Sequence, residues 1–221
     1  MRKSDFIFNK NCTNTAYVLG FIWADGYLNC RDGKHERVNT EIAEKDFNEI
    51  YYLFNNIGIH LFSTKRQRNN RQPQATFGYS DKNFISFLIE NDFLNRKEKG
   101  FNKILSNFNE KTINFFIKGL FDGDGCYYIN EKWSIRQISL SSSLNQNYSG
   151  IDKLFNSLNI KYKIRKVNSV NSYSILRMSS KKDCNIFINF LGNSLNVGLQ
   201  RKIDKINKIK TLTSNGNILE I

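Results

Sequence analysis

Ala16-Tyr-Val-Leu-Gly-Phe-Ile-Trp-Ala-Asp-Gly26 and Phe115-Phe-Ile-Lys-Gly-Leu-Phe-Asp-Gly-Asp-Gly125 are the two stretches that decide the fold. They align without a gap at an offset of 99 residues, and each ends in Asp-Gly. Small residues recur at every fourth position of the first, at Ala16, Gly20 and Ala24; the matched places in the second hold Phe115, Gly119 and Gly123. On a helix this spacing makes a ridge along one face. A glycine inside a helix costs roughly 0.8–1.0 kcal/mol relative to alanine, so its repetition at matched positions points to close packing of backbone on backbone. Either helix taken singly reads as ordinary core, whereas the ridge in both copies reads as an interface.

The acids follow from that packing. With Gly26 and Gly125 as C-terminal caps, Asp25 and Asp124 fall at the negative ends of two helix dipoles. With the C-termini side by side, the carboxylates also repel each other. Divalent cations relieve both penalties, and the last-turn carbonyls offer further oxygen ligands, so the expectation is Mg²⁺ between the copies. Asp-Gly is also a hairpin signal, but the helical period before it argues against a turn joining two strands. Asp122-Gly-Asp124-Gly resembles the start of an EF-hand loop, which fails because its twelfth position is Trp133 and not Glu. Asp122 faces away from Asp124 on a helix and matches Trp23 in the first copy, so it reads as structural or solvent-facing.

The duplication continues beyond the two motifs. Leu53-Phe-Asn-Asn-Ile-Gly-Ile59 matches Leu154-Phe-Asn-Ser-Leu-Asn-Ile160, and Phe84-Ile-Ser-Phe-Leu88 matches Phe187-Ile-Asn-Phe-Leu191. A period near 100 residues makes each copy a domain-sized unit rather than a solenoid repeat. In the first copy the motif helix precedes strands over Tyr27–Cys30 and Arg37–Ala43, a helix over Phe47–Ile57, strands over His60–Arg68 and Ala75–Tyr79, and a helix over Asn83–Asn91. The second copy repeats the series as Cys126–Asn130, Ile135–Ser141, Ile151–Leu158, Lys161–Val167, Tyr173–Met178 and Asp183–Leu191. Each half reads αββαββα, an α+β fold arranged as a pseudo-two-fold tandem repeat. The halves are assigned to residues 1–94 and 112–221, joined by a linker over 95–111, with a frayed tail from Thr211.

A formal charge of +13 and a pI near 9.6 call for a polyanionic partner, nucleic acid before an anionic membrane surface. Lys and Arg exceed Asp and Glu in both halves, so the charge belongs to the whole molecule. The hydrophobic fraction of 40% suits a globular fold and argues against disorder. Cys12, Cys30, Cys126 and Cys184 form no C-x-x-C pair and have only His35 and His60 to join them, which speaks against structural zinc and for reduced intracellular thiols. The N-terminus lacks a signal-peptide apolar region, and the apolar run Ala16–Ala24 is far short of the ~20 residues of a bilayer span, so a soluble protein is expected.

Val18-Leu-Gly-Phe-Ile-Trp-Ala-Asp-Gly26 and Ile117-Lys-Gly-Leu-Phe-Asp-Gly-Asp-Gly125 resemble the paired motifs of a single-chain LAGLIDADG homing endonuclease, and the likeness covers almost the whole chain. Trp23 departs from the pattern, where the family often has an acid. The resemblance implies a pseudo-symmetric monomer with two packed motif helices at the domain interface and two antiparallel saddle-shaped sheets over double-stranded DNA. It puts the metal-binding acids at Asp25 and Asp124, with two or three Mg²⁺ ions, and cuts across the minor groove that leave short 3′ overhangs. Leu94-Asn-Arg-Lys97 matches Leu199-Gln-Arg-Lys202, which nominates Lys97 and Lys202 as the basic residues beside the metals, against a reading as solvated lysines. Glu44 and Ser142, at the ends of the second strands, take the places of water-orienting groups.

Base reading is assigned to the strands, because a two-stranded ribbon fits the major groove. The first copy offers Arg31, Lys34, Arg37, Lys65, Arg66, Gln67, Arg68, Arg71, Gln72 and Gln74; the second offers Lys132, Arg136, Gln137, Lys161, Lys163, Arg165, Lys166 and Arg177. Strand alternation allows only about half of them to face DNA. Unlike halves imply a long, asymmetric site. Two other readings stay open on the same scaffold: an RNA-splicing maturase acting on a host intron RNA, and a DNA-binding protein without catalysis. Richness in Asn, Lys, Ile and Phe fits an AT-rich genome, as in mitochondria or another organelle, with a bacterial or phage origin as the alternative.

Overall fold

The computed structural model describes residues 6–214 apart from 32, 68–71, 169 and 171; Arg68 and Arg71 thus lie outside the described residues. The first half runs α1 (Thr13–Asp25), β1 (Gly26–Arg31), β2 (Lys34–Ala43), α2 (Phe47–Asn55), β3 (Phe62–Arg66), β4 (Gln74–Tyr79) and α3 (Lys82–Glu90). Two short helices, α4 (Arg96–Lys99) and α5 (Asn102–Leu105), lead to the second half. That half runs α6 (Ile113–Gly123), β5 (Gly125–Asn130), β6 (Ile135–Ser143), α7 (Ser149–Ser157), β7 (Lys163–Val167), β8 (Tyr173–Met178), α8 (Lys181–Leu191) and α9 (Gln200–Ser214). The αββαββα reading holds in both halves.

Each half forms a four-stranded antiparallel sheet, ordered β1-β2-β4-β3 in the first and β5-β6-β8-β7 in the second. The register sets which side chains share a face, since directly opposed residues point the same way and neighbours along a strand alternate. Val38, Ala75, Phe77 and Tyr79 in one sheet, and Tyr127, Ile138, Leu176 and Met178 in the other, turn toward the helices and are buried. The core is one continuous apolar cluster that draws on both halves. α1 is buried on every side from Thr15 to Trp23, the mark of an interior helix.

The connection between the halves is packed: Phe101, Ile104 and Leu105 are buried, with Trp23 and Phe101 rings 5.8 Å apart. One feature departs from the sequence reading. The chain stays helical through residues 211–214 as the end of α9, where fraying was expected, while residues 215–221 fall outside the described part. α9 packs along β5 and α8 and buries Ile206 and Ile209.

The segments that follow each half reach across to the other. Asn147 N–H donates to Lys97 O at 2.7 Å, and its side chain donates to Glu98 O at 2.9 Å. In return, Arg201 clasps Asp46 with Nε and Nη2, the latter at 2.8 Å, and Gln200 N–H donates to Glu49 Oε2 at 2.9 Å. No helix among the described residues is long and apolar enough to cross a membrane.

Candidate metal and nucleic-acid site

α1 and α6 meet through the glycine ridge. A Cβ on Gly20 would lie 1.9 Å from Phe116 O, and one on Gly119 would lie 2.0 Å from Tyr17 O. The two contacts are mates under the 99-residue offset, so the interface is two-fold in its details. Toward the C-termini, a Cβ on Gly123 would lie 2.4 Å from Ala24 Cβ and 3.0 Å from Asp25 Oδ2. The Asp25 carboxylate therefore rests against the end of the opposite helix.

The helix ends differ from the expected glycine caps. α1 passes from Asp25 straight into β1, with Gly26 extended at φ −78°, and Asp124 ends α6 at φ −87°. Neither Gly26 nor Gly125 has a positive φ. Both are glycine for want of room: a Cβ would come within 2.3 Å of Ile22 O at the first and 2.4 Å of Phe121 O at the second.

The electrostatics of the two carboxylates are shared. Asp25 reaches solvent and Asp124 is half-buried, but the protein around both removes enough water to raise their pKa values. Asp124 is pushed up to about 7, first by burial and then by the charge of Asp25, while Lys202 and Arg96 pull it back. Burial also raises Asp25 against the same two cations. Lys202 is buried at 5% exposure, and its ammonium donates to the carbonyls of Phe121 at 2.8 Å, Asp122 at 2.5 Å, Gly123 at 3.2 Å and Gly125 at 2.8 Å. Burial depresses its pKa to about 8, with Asp122 the largest opposing charge. Arg96 Nη2 donates to Gly26 O at 2.8 Å and Nη1 to Phe93 O at 3.1 Å.

Gly26 and Gly125 are matched positions, so Arg96 and Lys202 are spatial counterparts. Sequence matching had paired Lys97 with Lys202; the structure leaves Lys97 exposed, one residue beyond the inward-turning cation. Its neighbour Arg96 is the functional candidate that sequence reasoning missed. Adjacent cations in both copies, Arg96-Lys97 and Arg201-Lys202, gave no signal as to which of each pair turns inward.

The donor set fits hard divalent cations. Among the described residues neither Asp25 nor Asp124 accepts a hydrogen bond to its carboxylate, and no third His, Cys, Asp or Glu joins them. Two free carboxylates leave most of a six-oxygen shell to water and phosphate, as Mg²⁺ prefers. On α6 the last-turn carbonyls expected as ligands are instead engaged by Lys202, while Arg96 and Lys202 also take the carbonyls of Gly26 and Gly125 just beyond the two helices.

Glu44 and Ser142 do not form a pair. Register matches Thr40 with Leu140, opposite Gly26 and Gly125, so Ser142 corresponds to Ile42 and Glu44 lies two residues further on. Glu44 pairs with Lys65 at 3.2 Å, and Lys65 sits 4.9 Å over the Phe47 ring on the helix side of the sheet. Ser142 Oγ donates to Gln146 Oε1 at 2.9 Å and turns to the same side of its sheet as Leu140. Glu41 and Ser141, one residue off in strand parity, are the matched pair facing outward; Ser141 N–H donates to Asp124 O at 3.2 Å. Ser142, Lys97, Arg96, Trp23, Asp124 and Gln146 all border one open cavity of about 450 Å³.

Asp122 is structural, the first of its two expected readings. It is 1% exposed and ion-paired to the equally buried Lys118, and it accepts from Tyr17 Oη at 2.8 Å and Leu199 N at 3.1 Å.

On the outward sheet faces, parity selects Arg37, Arg66 and Gln74 from the first-half candidates, and Gln137, Lys163, Arg165 and Arg177 from the second. Lys65, Arg136 and Lys166 fall on the helix side, opposite or beside buried residues. All five residues of β3 are exposed, as are the first four of β7, which suits strands laid against a large partner.

Residues 111–192 match the family model of the LAGLIDADG-like domain. No curated protein sequence matches the chain. Among solved structures, the I-SmaMI LAGLIDADG homing endonuclease bound to cleaved DNA superposes with a TM-score of 0.61 at 14% identity, covering 97% of this chain and 92% of that one. I-DmoI in complex with DNA and Mn gives 0.52 at 19% identity, over 81% and 97%. Full-length DUF199/WhiA from Thermatoga maritima gives 0.57 at 17% identity; 97% of this chain is covered but only 64% of that longer protein. At these identities the likeness is one of fold: two LAGLIDADG-type halves in a single chain.

Proposed function

We propose that this chain, with a LAGLIDADG-like second half inside the fold of two-motif homing endonucleases, is a site-specific double-stranded DNA endonuclease that hydrolyses both strands. One observation carries the reading. Two carboxylates without hydrogen-bond partners among the described residues, Asp25 and Asp124, converge at the ends of packed helices, where each motif helix passes into the first strand of its sheet. The relatives of like fold that were crystallised with DNA, and in one case with Mn, support it.

Asp25 and Asp124 would hold the divalent cations, Mg²⁺ by preference for oxygen ligands. When bound, such ions polarise the scissile phosphates and activate the attacking water. Arg96 and Lys202 work against the rise in pKa that burial gives both carboxylates, and offset the accumulating negative charge as phosphate approaches. Lys202 does this from within its cage of carbonyls, fixed in place before substrate arrives. The outward faces bind duplex DNA as a monomer, one sheet to each half of a long asymmetric site.

The test is cleavage of plasmids bearing a library of randomised duplex inserts, with Mg²⁺ or EDTA, by wild type, Asp25→Asn and Asp124→Asn. Recovery of one cut sequence only from wild type with Mg²⁺ supports the reading. Specific binding with no cut under any condition transfers it to a non-catalytic DNA-binding protein or a splicing maturase.

A further inference from the structure

The two outward faces carry different chemistry at matched positions. In the second sheet, one row across the strands runs Lys163, Arg177, Ser139, Cys126. The corresponding row of the first sheet runs Phe62, Gly78, Asn39, Tyr27. Both rows lie at the same remove from their motif aspartates, because Tyr27 and Cys126 each follow Asp25 and Asp124 by two residues.

The second-half row is left in an unfavourable state by the protein itself. Lys163 and Arg177 stand directly opposite each other on antiparallel strands, a placement that destabilises like charges. Arg165 sits on the same face one step along β7, opposite Ile175. None of the three has an ion pair among the described residues, and no acidic side chain is presented by β5–β8 on that face. The first-half row is closed instead. Arg37 lies 4.8 Å over the Phe62 ring, and a Cβ on Gly78 would meet Asn39 Oδ1 at 2.4 Å and Arg37 Cδ at 3.3 Å, so the place taken by Arg177 is filled there by the side chains of Asn39 and Arg37.

We infer that Arg177, backed by Lys163, reads a guanine in the half-site covered by the second half, and that the symmetry-related position of the other half-site has no such readout. Guanine presents two acceptors, N7 and O6, to the major groove, and the planar guanidinium fork engages both at once. The electronegative acceptor edge and the nearby anionic phosphates relieve the Lys163–Arg177 repulsion that the free protein leaves standing. The target thus has a definite polarity, with a G-containing arm and an arm read without guanine at the mirrored place.

This inference rests on the DNA-binding reading above, and the experiment separates the two. Randomised duplex DNA is selected by binding in Ca²⁺ with wild type, Arg177→Ala and Arg177→Lys, followed by affinity measurements on the consensus at two salt concentrations. The expected result is a wild-type consensus with guanine at one position of one arm. In Arg177→Ala that single preference disappears and affinity falls roughly tenfold to a hundredfold. Arg177→Lys, which keeps the charge but not the fork, restores part of the affinity and none of the preference. A consensus unchanged by either substitution, with affinity lowered evenly on all sequences, makes Arg177 a phosphate contact and overturns the inference while the DNA-binding reading stands. No sequence preference in wild type overturns both. Thermal unfolding of Arg177→Ala at or above the wild-type midpoint, as removal of a like-charge pair requires, verifies that the variant is folded.

Discussion

Asp124 is half protonated near neutrality, and this has consequences for the free protein and for cation binding. Its native pKa of about 7 stands above the ordinary 3.8, so the folded state holds more protons than the unfolded state between those values. Stability of the cation-free protein therefore falls as pH rises from about 4 to about 7 and levels off above. Asp124→Asn should unfold at the wild-type midpoint at pH 4 and be more stable by about 1–3 kcal/mol at pH 8, measured by denaturant titration in EDTA. Cations compete with that proton. Calorimetric titration with Mn²⁺ should show affinity rising up to about tenfold per pH unit below 7 and levelling above it, and Asp25→Asn should flatten the profile, because the Asp25 charge helps to raise Asp124.

At the scale of elements, the α1–α6 contact tolerates no added carbon. Gly20→Ala and Gly119→Ala each drive a methyl into a carbonyl oxygen of the facing helix, at 1.9 and 2.0 Å, which only separation of the helices relieves. Each should cost about 3 kcal/mol or more in thermal unfolding, against a gain of up to ~1 kcal/mol from helix propensity that alanine would otherwise bring. This interface was legible in the sequence because glycine repeated at matched helical positions has few other uses. Strand parity was legible only in part: periodicity found the strands, but Glu44 and Ser142 were paired by their place near the strand ends, whereas β2 stops at Ala43 and register sets Ser142 on the face of Leu140. α9 went unseen although Ile203, Ile206, Ile209 and Leu212 recur every third residue, because the lysines between them dilute the apolar signal. Lys202 was found by its match to Lys97, whereas Arg96, which turns inward beside Gly26, required three dimensions.

For the whole molecule, one core and two crossing segments make the halves mutually dependent. Residues 1–111 expressed without 112–221 would expose the face of α1 that α6 covers, and would lose the Arg201 clasp on Asp46. The separate fragments should show no cooperative unfolding transition by calorimetry and should regain one on mixing. A fragment that folds by itself with a sharp transition would show that the shared core is dispensable. The duplicated architecture could be read from two motifs and two shorter echoes, but the exchange of segments could not, since Asn147 to Lys97 and Arg201 to Asp46 are contacts between unlike sequences.

That exchange also bears on how the protein can be re-engineered. Fusing one half to a half from another protein at the linker is the obvious route to a new composite target. Here such a cut severs partners on both sides of the junction. Lys97 and Glu98 are bonded to Asn147 of the second half, and Gln200 and Arg201 to Glu49 and Asp46 of the first. A working hybrid must carry the Asn147 neighbourhood along with α4, and Asp46 and Glu49 along with Arg201 and Gln200, so the natural unit of recombination is a set of four surface patches rather than a stretch of chain.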